Sequence, residues 1–167
     1  MASELKAERI HQIEVSLRDL SELLESVAAD QEWQPAPEEW SFREIAAHMK
    51  TVEQECHQDR VIRISAGEKS HYEYYYNTGR DFGGMSLMDN LQVWAETRQE
   101  IIGTVQGLSD EQLALTGTHA RFGVVTVLDI LNEMYKHDDE HIQDLKSVLE
   151  TQYNKTFAAP QAGEFGE

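Results

Sequence analysis

The stretch EEWSFREIAAHM, residues 38–49, contains the clearest helix start in the chain, and it sets the fold class. Ser41 and Glu44 have the S-x-x-E spacing of a capping box, in which each side chain satisfies a free backbone amide of the other residue. Trp40 and Ile45 occupy the two positions of a hydrophobic staple, which fixes how the chain enters a helix. The stretch therefore predicts a helix that begins directly after Ser41.

Apolar residues at helical spacing extend this helix and define three more. The first helix has a stripe formed by Ile13, Leu17, Leu20, Leu24 and Val27. The second runs to about Ile64, and its inward face is Phe42, Ile45, Met49, Val52 and Cys56. The third spans Leu87 to Val105, and the fourth begins at a second capping box, Thr126 with Asp129, and runs to about Gln152.

Four amphipathic helices without a convincing strand predict an all-α protein with the architecture of a four-helix bundle. The connections between helices 2 and 3 and between helices 3 and 4 are each about twenty residues long, so a simple up-down-up-down order does not follow. The second connection is expected to hold a short helical turn and an extended piece. We expect one bundle domain over residues 1–152 and a loose C-terminal tail over residues 153–167.

The charge of the chain argues against two classes of partner. Asp and Glu number 31 against 14 Lys and Arg, which gives a formal net charge of −17. This field repels nucleic-acid phosphates and anionic membrane surfaces, so neither is an expected partner. Cys56 is the only cysteine, so no intrachain disulfide can form, and no apolar run approaches the roughly 20 residues of a membrane span. We therefore expect a cytoplasmic protein.

The segment MYKHDDEHIQDL, residues 134–145, places His137 and His141 four residues apart on one face of the fourth helix. Both lie at the margin of that helix's apolar side, and His48 lies beside the apolar stripe of the second helix. Histidines at such margins can meet where two helices adjoin, which is where bundles hold metal ions. Three neutral imidazoles bind a divalent metal ion and leave positions for water and substrate. Histidines that merely decorate the surface are the other interpretation.

Asp138 lies in the middle of the apolar stripe, where an unpaired carboxylate is costly. It therefore needs a partner. One interpretation is a hydrogen bond to a metal-bound histidine, which would orient that ring. The other is a buried cap or an ion pair with a basic residue such as Arg9 or Arg63.

Two glutamates lie on the same helix faces as the three histidines. Glu55 follows His48 by two turns, and Glu133 precedes His137 by one turn. Either is a candidate for a general base or a fourth metal ligand, although a solvated carboxylate is the more common outcome in so acidic a chain.

Other chemistry-bearing residues receive structural interpretations. The run HYEYYYNTG, residues 71–79, is expected to plug the end of the bundle or to form a dimer contact, with a lid or pocket wall as the alternative. Cys56 is interpreted as an inert, buried thiol. The tryptophans are predicted to be core residues and four histidines to be surface residues: Trp33, Trp40 and Trp94, and His11, His57, His71 and His119.

Two motifs resemble a known family. EEWSFREIAAHM resembles the W-S-x-x-E-I-x-x-H start of the second helix in DinB/YfiT-like proteins, and KHDDEHIQDL resembles the late H-D-x-x-H motif of that family. Their separation of about ninety residues also fits, and the resemblance extends from the first helix to about residue 150. It implies a four-helix bundle, often in up-down-down-up order and frequently dimeric. It also implies a metal ion, commonly zinc or nickel, bound by His48, His137 and His141.

The resemblance implies a site more firmly than a reaction. Some relatives are thiol S-transferases or isomerases that use bacillithiol, mycothiol or glutathione, and many are regarded as metal-dependent hydrolases. The chain is accordingly expected to be a metal-dependent enzyme of this type that activates a low-molecular-weight thiol or water against a small-molecule substrate. The alternative is a non-catalytic dimeric bundle, serving a stress response or binding a small molecule, whose metal is structural or incidental.

Overall fold

The structure, a computed structural model, describes residues 1–156 and contains the four long helices that the sequence predicts. The first bundle helix is α1 (Ala2–Glu25). The second comprises α2 (Phe42–Val52), a π-helical stretch (Glu53–Gln58) and α3 (Asp59–Ser65). The third is α4 (Leu87–Gln106); α5 (Asp110–Leu113) is a single turn after it. The fourth comprises α6 (Val127–Val148), a second π-helical stretch (Leu149–Tyr153) and α7 (Asn154–Thr156).

Side-chain caps fix where three of the bundle helices begin. The capping boxes predicted at Ser41 and at Thr126 both form, each with reciprocal hydrogen bonds to the residue three positions later. Ser86 accepts a hydrogen bond from the backbone amide of Asp89 at the start of α4. Because a cap satisfies amides that the helix itself cannot, these helices begin where the sequence predicts.

The fourth bundle helix continues beyond its predicted end. Helical structure reaches Thr156, and the Tyr153 ring lies 5.2 Å from the ring of Trp33 and 5.3 Å from that of Phe42. This packing holds the last turns against the bundle. Most of the tail predicted over residues 153–167 lies outside the described residues, so the division of the chain at residue 152 stays a prediction.

The four bundle helices run in up-down-down-up order. Hydrogen bonds join Gln54 to Thr97 and Gln58 to Glu100, so the second and third bundle helices run in the same direction. The start of α1 packs in one core cluster with the start of α6, the end of α4 and the end of the second bundle helix. The opposite ends of these helices pack in a second cluster. The first and fourth bundle helices are therefore parallel to each other and antiparallel to the second and third.

A buried polar layer divides the two apolar clusters. One cluster is centred on Ile13, Ile64, Ile101, Leu131 and Met134, and the other on Leu20, Leu24, Phe42, Met49 and Trp94. Between them lies one polar residue from the middle of each bundle helix: Ser16, Glu53, Arg98 and Asp138, all nearly inaccessible to solvent. Trp94 is a core residue, as predicted.

The two long connections meet in a small sheet. The second connection holds the short helical turn and the extended piece that the sequence predicts, whereas the strand in the first connection was not predicted. Strand β1 (His71–Tyr72) pairs in parallel with β2 (Gly117–His119), which pairs antiparallel with β3 (Gly123–Val125). A Cβ at Gly117 would lie 2.8 Å from Cε2 of Tyr72, so only glycine permits this close approach. A strand of two residues is too short to show an alternating pattern, which explains why β1 was missed.

The direction of the third bundle helix determines the path of residues 66–86. Since the second and third bundle helices are parallel, this connection must return from the end of one to the beginning of the other. Tyr75 and Arg80 bind the Glu55 carboxylate along this path, and Arg43 donates to the carbonyl oxygen of Gly83 near its end. Within residues 1–156, no helix combines the length and apolarity of a membrane span.

Candidate metal centre

Three histidines from two antiparallel helices converge on one point. Nε2 of His137 lies 3.1 Å from Nε2 of His48 and 3.2 Å from Nε2 of His141. His137 and His141 are one turn apart on α6, and the second bundle helix brings His48 against them. The structure therefore brings together the three residues that the sequence analysis selected, and each offers one ligand nitrogen within 4.8 Å of the others.

Asn77 fixes the orientation of the His48 ring. Nδ1 of His48 lies 2.9 Å from Oδ1 of Asn77. An amide oxygen only accepts, so Nδ1 donates its proton to Asn77, and the lone pair of Nε2 is directed at the other two histidines. The ring also packs against Trp40, with 4.3 Å between ring centroids. Trp40 is half-buried at this site, so its assignment to the core is wrong.

Burial keeps the three imidazoles neutral at neutral pH. Together with the charges of neighbouring histidines, it lowers the pKa of His48 to about 4 and that of His137 to about 2. Burial also lowers the pKa of His141, although nearby carboxylates oppose this shift. Neutral imidazoles present lone pairs rather than protons, which is the state that a metal ion requires.

The spacing of the nitrogens fits a divalent ion. Two imidazole nitrogens bound to one zinc at about 2.0–2.1 Å in tetrahedral geometry lie about 3.3 Å apart. The observed separations of 3.1 and 3.2 Å are close to this value. Three acceptor atoms this close repel one another unless a proton or a cation lies between them. The donor set is therefore suited to a metal ion.

The two candidate glutamates lie outside the histidine cluster. The exposed Glu55 carboxylate accepts hydrogen bonds from Arg80 and Tyr75, each at 2.5 Å, and these bonds lower its pKa. The Glu55 carboxylate is therefore engaged outside the three-histidine cluster, and its expected role as a base or ligand stays a prediction. Glu55 lies within the π-helical stretch, which changes the helical register after His48. Glu133 borders the pocket and pairs with Lys136 at 3.4 Å, so its expected role stays a prediction.

Asp138 is buried as predicted, but its partners differ from the predicted ones. Its carboxylate accepts from the Ser16 hydroxyl at 2.5 Å and from Nη1 of Arg98 at 2.8 Å. The expected hydrogen bond to a metal-bound histidine is not found in residues 1–156, and the basic partner is neither Arg9 nor Arg63. The buried Arg98 supplies the positive charge because the midpoints of all four bundle helices meet in the polar layer.

Arg98 joins two carboxylates whose pKa values move in opposite directions. Its guanidinium donates to both Glu53 and Asp138. Burial opposes ionisation of Glu53, but the charge of Arg98 and the hydrogen bonds of His57 and Arg98 lower the pKa of Glu53 to about 2. Burial raises the pKa of Asp138, and Arg98 offsets this only in part.

Two histidines expected at the surface are buried and border the pocket. His57 is 7% exposed, its ring lies 5.8 Å from that of His137, and Nδ1 lies 3.5 Å from a Glu53 oxygen. His119 is 3% exposed, and its Nδ1 accepts from the backbone amides of Arg121 and Phe122. The four-residue spacing of Glu53 and His57 is the one sequence feature that indicates a buried pair. His11 and His71 are exposed, as predicted.

The histidines open into a pocket of about 550 Å³ between the second and fourth bundle helices. Residues 74–78 of the first long connection form one wall, so the tyrosine-rich run is a pocket wall rather than a plug over the bundle end. Cys56 also borders the pocket, but burial raises the pKa of its thiol to about 11. The thiol is buried, as predicted, and its raised pKa disfavours the reactive thiolate. Water and small molecules reach the histidines from this side.

Comparison with known proteins supports both the fold and the motifs. The sequence matches the model of a family described as the DinB superfamily over residues 12–145. Among solved structures it is similar to YfiT from Bacillus subtilis, described as a probable metal-dependent hydrolase with an unusual four-helix bundle topology. The TM-score is 0.73 at 16% sequence identity, and the match covers 90% of this chain and 89% of YfiT. No curated protein matches the sequence.

Proposed function

The chain belongs to the DinB superfamily, and from this premise we propose that it is a metal-dependent enzyme that hydrolyses a small molecule. His48, His137 and His141 are the proposed ligands of a divalent ion, with zinc or nickel as the candidates. The observation that carries the proposal is the convergence of three neutral imidazole nitrogens at the floor of an open pocket. The structural likeness to YfiT supports the hydrolytic version.

The chemistry that the ion supplies is acidification of a coordinated water or thiol, which for zinc-bound water reaches a pKa near ~7. The protein's own residues prepare the site for this chemistry. Asn77 holds the proton of His48 on Nδ1, so that Nε2 keeps its lone pair. Trp40 packs against the His48 ring and limits the access of water to it.

The polar layer fixes the spacing of the two helices that carry the histidines. Arg98 binds Glu53 on the second bundle helix and Asp138, the residue after His137, on the fourth. His48 and His137 are therefore supported from behind by one network of charge-assisted hydrogen bonds. We infer that this network positions the ligands without contacting substrate.

Elemental analysis of the purified protein tests the metal proposal. We expect one equivalent of a divalent metal in the wild-type protein, and large losses of metal in the variants His48→Ala and His141→Ala. His11→Ala is the matched control because His11 is exposed and lies on α1, away from the cluster. Metal content that is unaffected by the first two substitutions would contradict the proposal.

An ester and amide panel then tests the reaction. Hydrolysis is expected from the metal-loaded protein, with loss of turnover after chelation and its return when metal is added back. The His141→Ala variant should remain inactive under both conditions. A protein that is inactive throughout and equally stable after chelation would favour the non-catalytic bundle instead.

Thiol transfer is the second candidate. The pocket volume of about 550 Å³ lies within the roughly 300–1,000 Å³ typical of small-molecule sites, so a thiol and an electrophile can enter it. The burial of Cys56 indicates that the thiol comes from outside the chain. The only thiol of the chain is buried with a raised pKa, so a nucleophilic thiol has to be a co-substrate such as bacillithiol, mycothiol or glutathione. Glutathione with a chloro-nitroaromatic electrophile tests this version, and turnover that does not depend on thiol would remove it.

A homodimer in the cytoplasm is the expected state of the protein, and we retain it as a proposal. Size-exclusion chromatography with light scattering on the full chain tests the dimer. A mass of 19.1 kDa in solution would identify a monomer.

A further inference from the structure

Two arginines of the pocket have no acidic partner, although the chain is very acidic. Within residues 1–156, neither Arg60 nor Arg121 forms an ion pair, and both border the pocket. Five of the other six arginines do pair with a carboxylate: Arg18, Arg43, Arg63, Arg80 and Arg98. The sixth, Arg9, lies on α1 away from this pocket and donates to the Gln12 side chain. With a net charge of −17, unpaired arginines at the one pocket that contains the histidines need a separate explanation.

Arg60 faces the pocket from the second bundle helix. It is half-buried, its guanidinium lies 5.1 Å from the centre of the Tyr72 ring, and Nη2 donates to the carbonyl oxygen of Glu73 at 2.9 Å. A guanidinium carries five N–H donors, so this single hydrogen bond leaves most of them for a ligand. Together with burial, the charge of Arg60 lowers the pKa of His119, another pocket residue.

Arg121 lies at the same end of the pocket, directly after β2. Its guanidinium lies 5.7 Å from the ring centre of Tyr74 and 5.8 Å from that of Phe122. Aromatic faces hold a guanidinium flat and leave its N–H edge available, which is the geometry that binds a carboxylate with two hydrogen bonds. Arg121 is exposed, so a molecule in the pocket can reach it.

The arginines and the histidine cluster lie at different ends of the pocket. Arg60 follows His48 by twelve residues along the second bundle helix, which corresponds to at most about 18 Å along the axis. The long arginine side chain shortens this separation. Acidic residues also lie near the arginines, since the charges of Glu133 and Glu73 oppose the lowering of the His119 pKa. Within residues 1–156 neither pairs with Arg60 or Arg121, because Glu73 pairs with His71 and Glu133 with Lys136. Glu140 acts on His141 at the other end.

We propose that Arg60 and Arg121 bind the carboxylate of an elongated small-molecule substrate whose reactive group lies at the histidine cluster. The substrate class is therefore carboxylate-bearing anions. This inference rests on the proposed function for the reaction, but the carboxylate site itself does not require a metal ion. A preference for anions is the opposite of what the net charge of −17 favours, so it has to come from the two arginines.

Calorimetric titration of the full chain with a matched pair of probes tests the proposal. Hippurate carries a carboxylate, and hippuramide is its neutral amide with the same aromatic group. We expect hippurate to bind about tenfold more tightly than hippuramide, because charge-assisted hydrogen bonds to a carboxylate are stronger than neutral ones. Higher salt should weaken hippurate binding and leave hippuramide binding nearly unchanged.

Arginine variants identify the source of this preference. Arg60→Gln and Arg121→Gln are each expected to lower hippurate affinity by about fivefold to tenfold and to leave hippuramide affinity unchanged. Arg63→Gln is the matched control, since Arg63 lies one turn after Arg60 and pairs with Asp59. Arg60→Lys retains a positive charge, so an intermediate affinity is expected, and thermal melting of each variant checks that it is folded.

Three results would overturn the proposal: equal binding of the two probes, a preference that survives both glutamine substitutions, or no hippurate binding at millimolar concentration. The titration is repeated in the His48→Ala variant. Arginine-dependent preference for hippurate in that variant supports the carboxylate site even if metal analysis contradicts the proposed enzyme. A preference that disappears in His48→Ala but survives the arginine substitutions would place the carboxylate on the metal and overturn the proposal.

Discussion

The two polar clusters inside the bundle are built in opposite ways. The polar layer, Ser16, Glu53, Arg98 and Asp138, combines one cation with two carboxylates and a hydroxyl, and its members bind one another. The histidine cluster combines three imidazoles whose Nε2 atoms converge on the same point. The layer is nearly inaccessible to solvent, whereas the histidines open into the pocket.

This contrast separates a structural cluster from a binding site. A buried polar group is tolerated when its hydrogen bonds are made, and the layer meets that condition with its own residues. The histidines differ, because their Nε2 atoms converge on one another at the floor of an open pocket and no carboxylate or hydroxyl of residues 1–156 belongs to their cluster. An outside partner such as a metal ion can therefore reach all three nitrogens through the pocket.

The largest expected effect comes from breaking the layer. Arg98→Met leaves Glu53 and Asp138 buried without a cation, and we expect a loss of about 3–5 kcal/mol in the free energy of unfolding, or no folded protein. Urea unfolding measures it. Arg18→Met is the matched control: the Arg18 side chain is 61% exposed and should change stability by less than about 0.5 kcal/mol. A loss of less than about 1 kcal/mol in Arg98→Met would show that the polar layer does not stabilise the fold, and would contradict its interpretation as a structural cluster.

Breaking the histidine cluster should instead affect only the metal-bound protein. In metal-free protein, His141→Ala removes one of three mutually repelling acceptors, so stability is expected to change by less than about 1 kcal/mol. Zinc at a hundredfold excess over its dissociation constant should stabilise the wild-type protein by about 3 kcal/mol and the variant by far less. Thermal melting with and without zinc gives both numbers, and equal stabilisation of the two proteins would contradict the site.

Acidification of the metal-free protein should destabilise the histidine cluster more than the polar layer. The pKa values of His48 and His137 fall to about 4 and about 2 in the folded state, from an ordinary value of 6.5. The unfolded chain therefore binds more protons below pH 6.5. Each of the two groups should lower stability by about 1.6 kcal/mol between pH 6.5 and pH 5, which gives about 3 kcal/mol together. Glu53 stays ionised over this range, and the raised pKa of Asp138 acts in the opposite sense.

Urea unfolding at several pH values measures this loss. The double variant His48→Ala/His137→Ala should show a much flatter dependence on pH, since it lacks both depressed groups. A wild-type stability that is constant from pH 6.5 to pH 5 would contradict the burial of the neutral histidines.

The smallest expected effect concerns the residue that orients His48. Asn77→Ala removes the acceptor for Nδ1, and we expect about a tenfold loss of metal affinity with little loss of stability. Competition with a chromogenic chelator measures the affinity. Thr78→Ala is the control because Thr78 is the next residue and borders the same pocket. Equal effects of the two substitutions would show that Asn77 has no special role.

Local hydrogen bonding explains which parts of the fold were predictable. The capping boxes at Ser41 and Thr126 are short-range patterns, so the sequence alone places these two helix starts. The histidines were found because their spacing indicates a shared helix face and because the flanking motifs resemble those of a family. Arg98 was missed since no motif marks it, although it continues the apolar stripe that contains Trp94 and Ile101.

Residues whose position depends on a change of helical register could not be predicted. Glu55 and His57 lie inside the π-helical stretch at residues 53–58, where Glu55 is exposed and His57 is buried. Regular spacing of 3.6 residues per turn gives the wrong face for both. Trp40 likewise borders the pocket because it packs against the rings of His48 and Phe82, and a contact with a residue so far along the chain as Phe82 leaves no local sequence pattern.

The parallel direction of the second and third bundle helices has a consequence for how new activities can arise on this scaffold. A hairpin turn would leave the histidines facing bulk solvent, but the return path of residues 66–86 encloses them with residues 74–78. The positions of the three imidazoles thus depend on the bundle helices, whereas the shape of the pocket depends largely on one connecting segment. Replacing residues 66–86 by a segment of different sequence, on the same bundle, is therefore a direct way to change which small molecules fit the pocket.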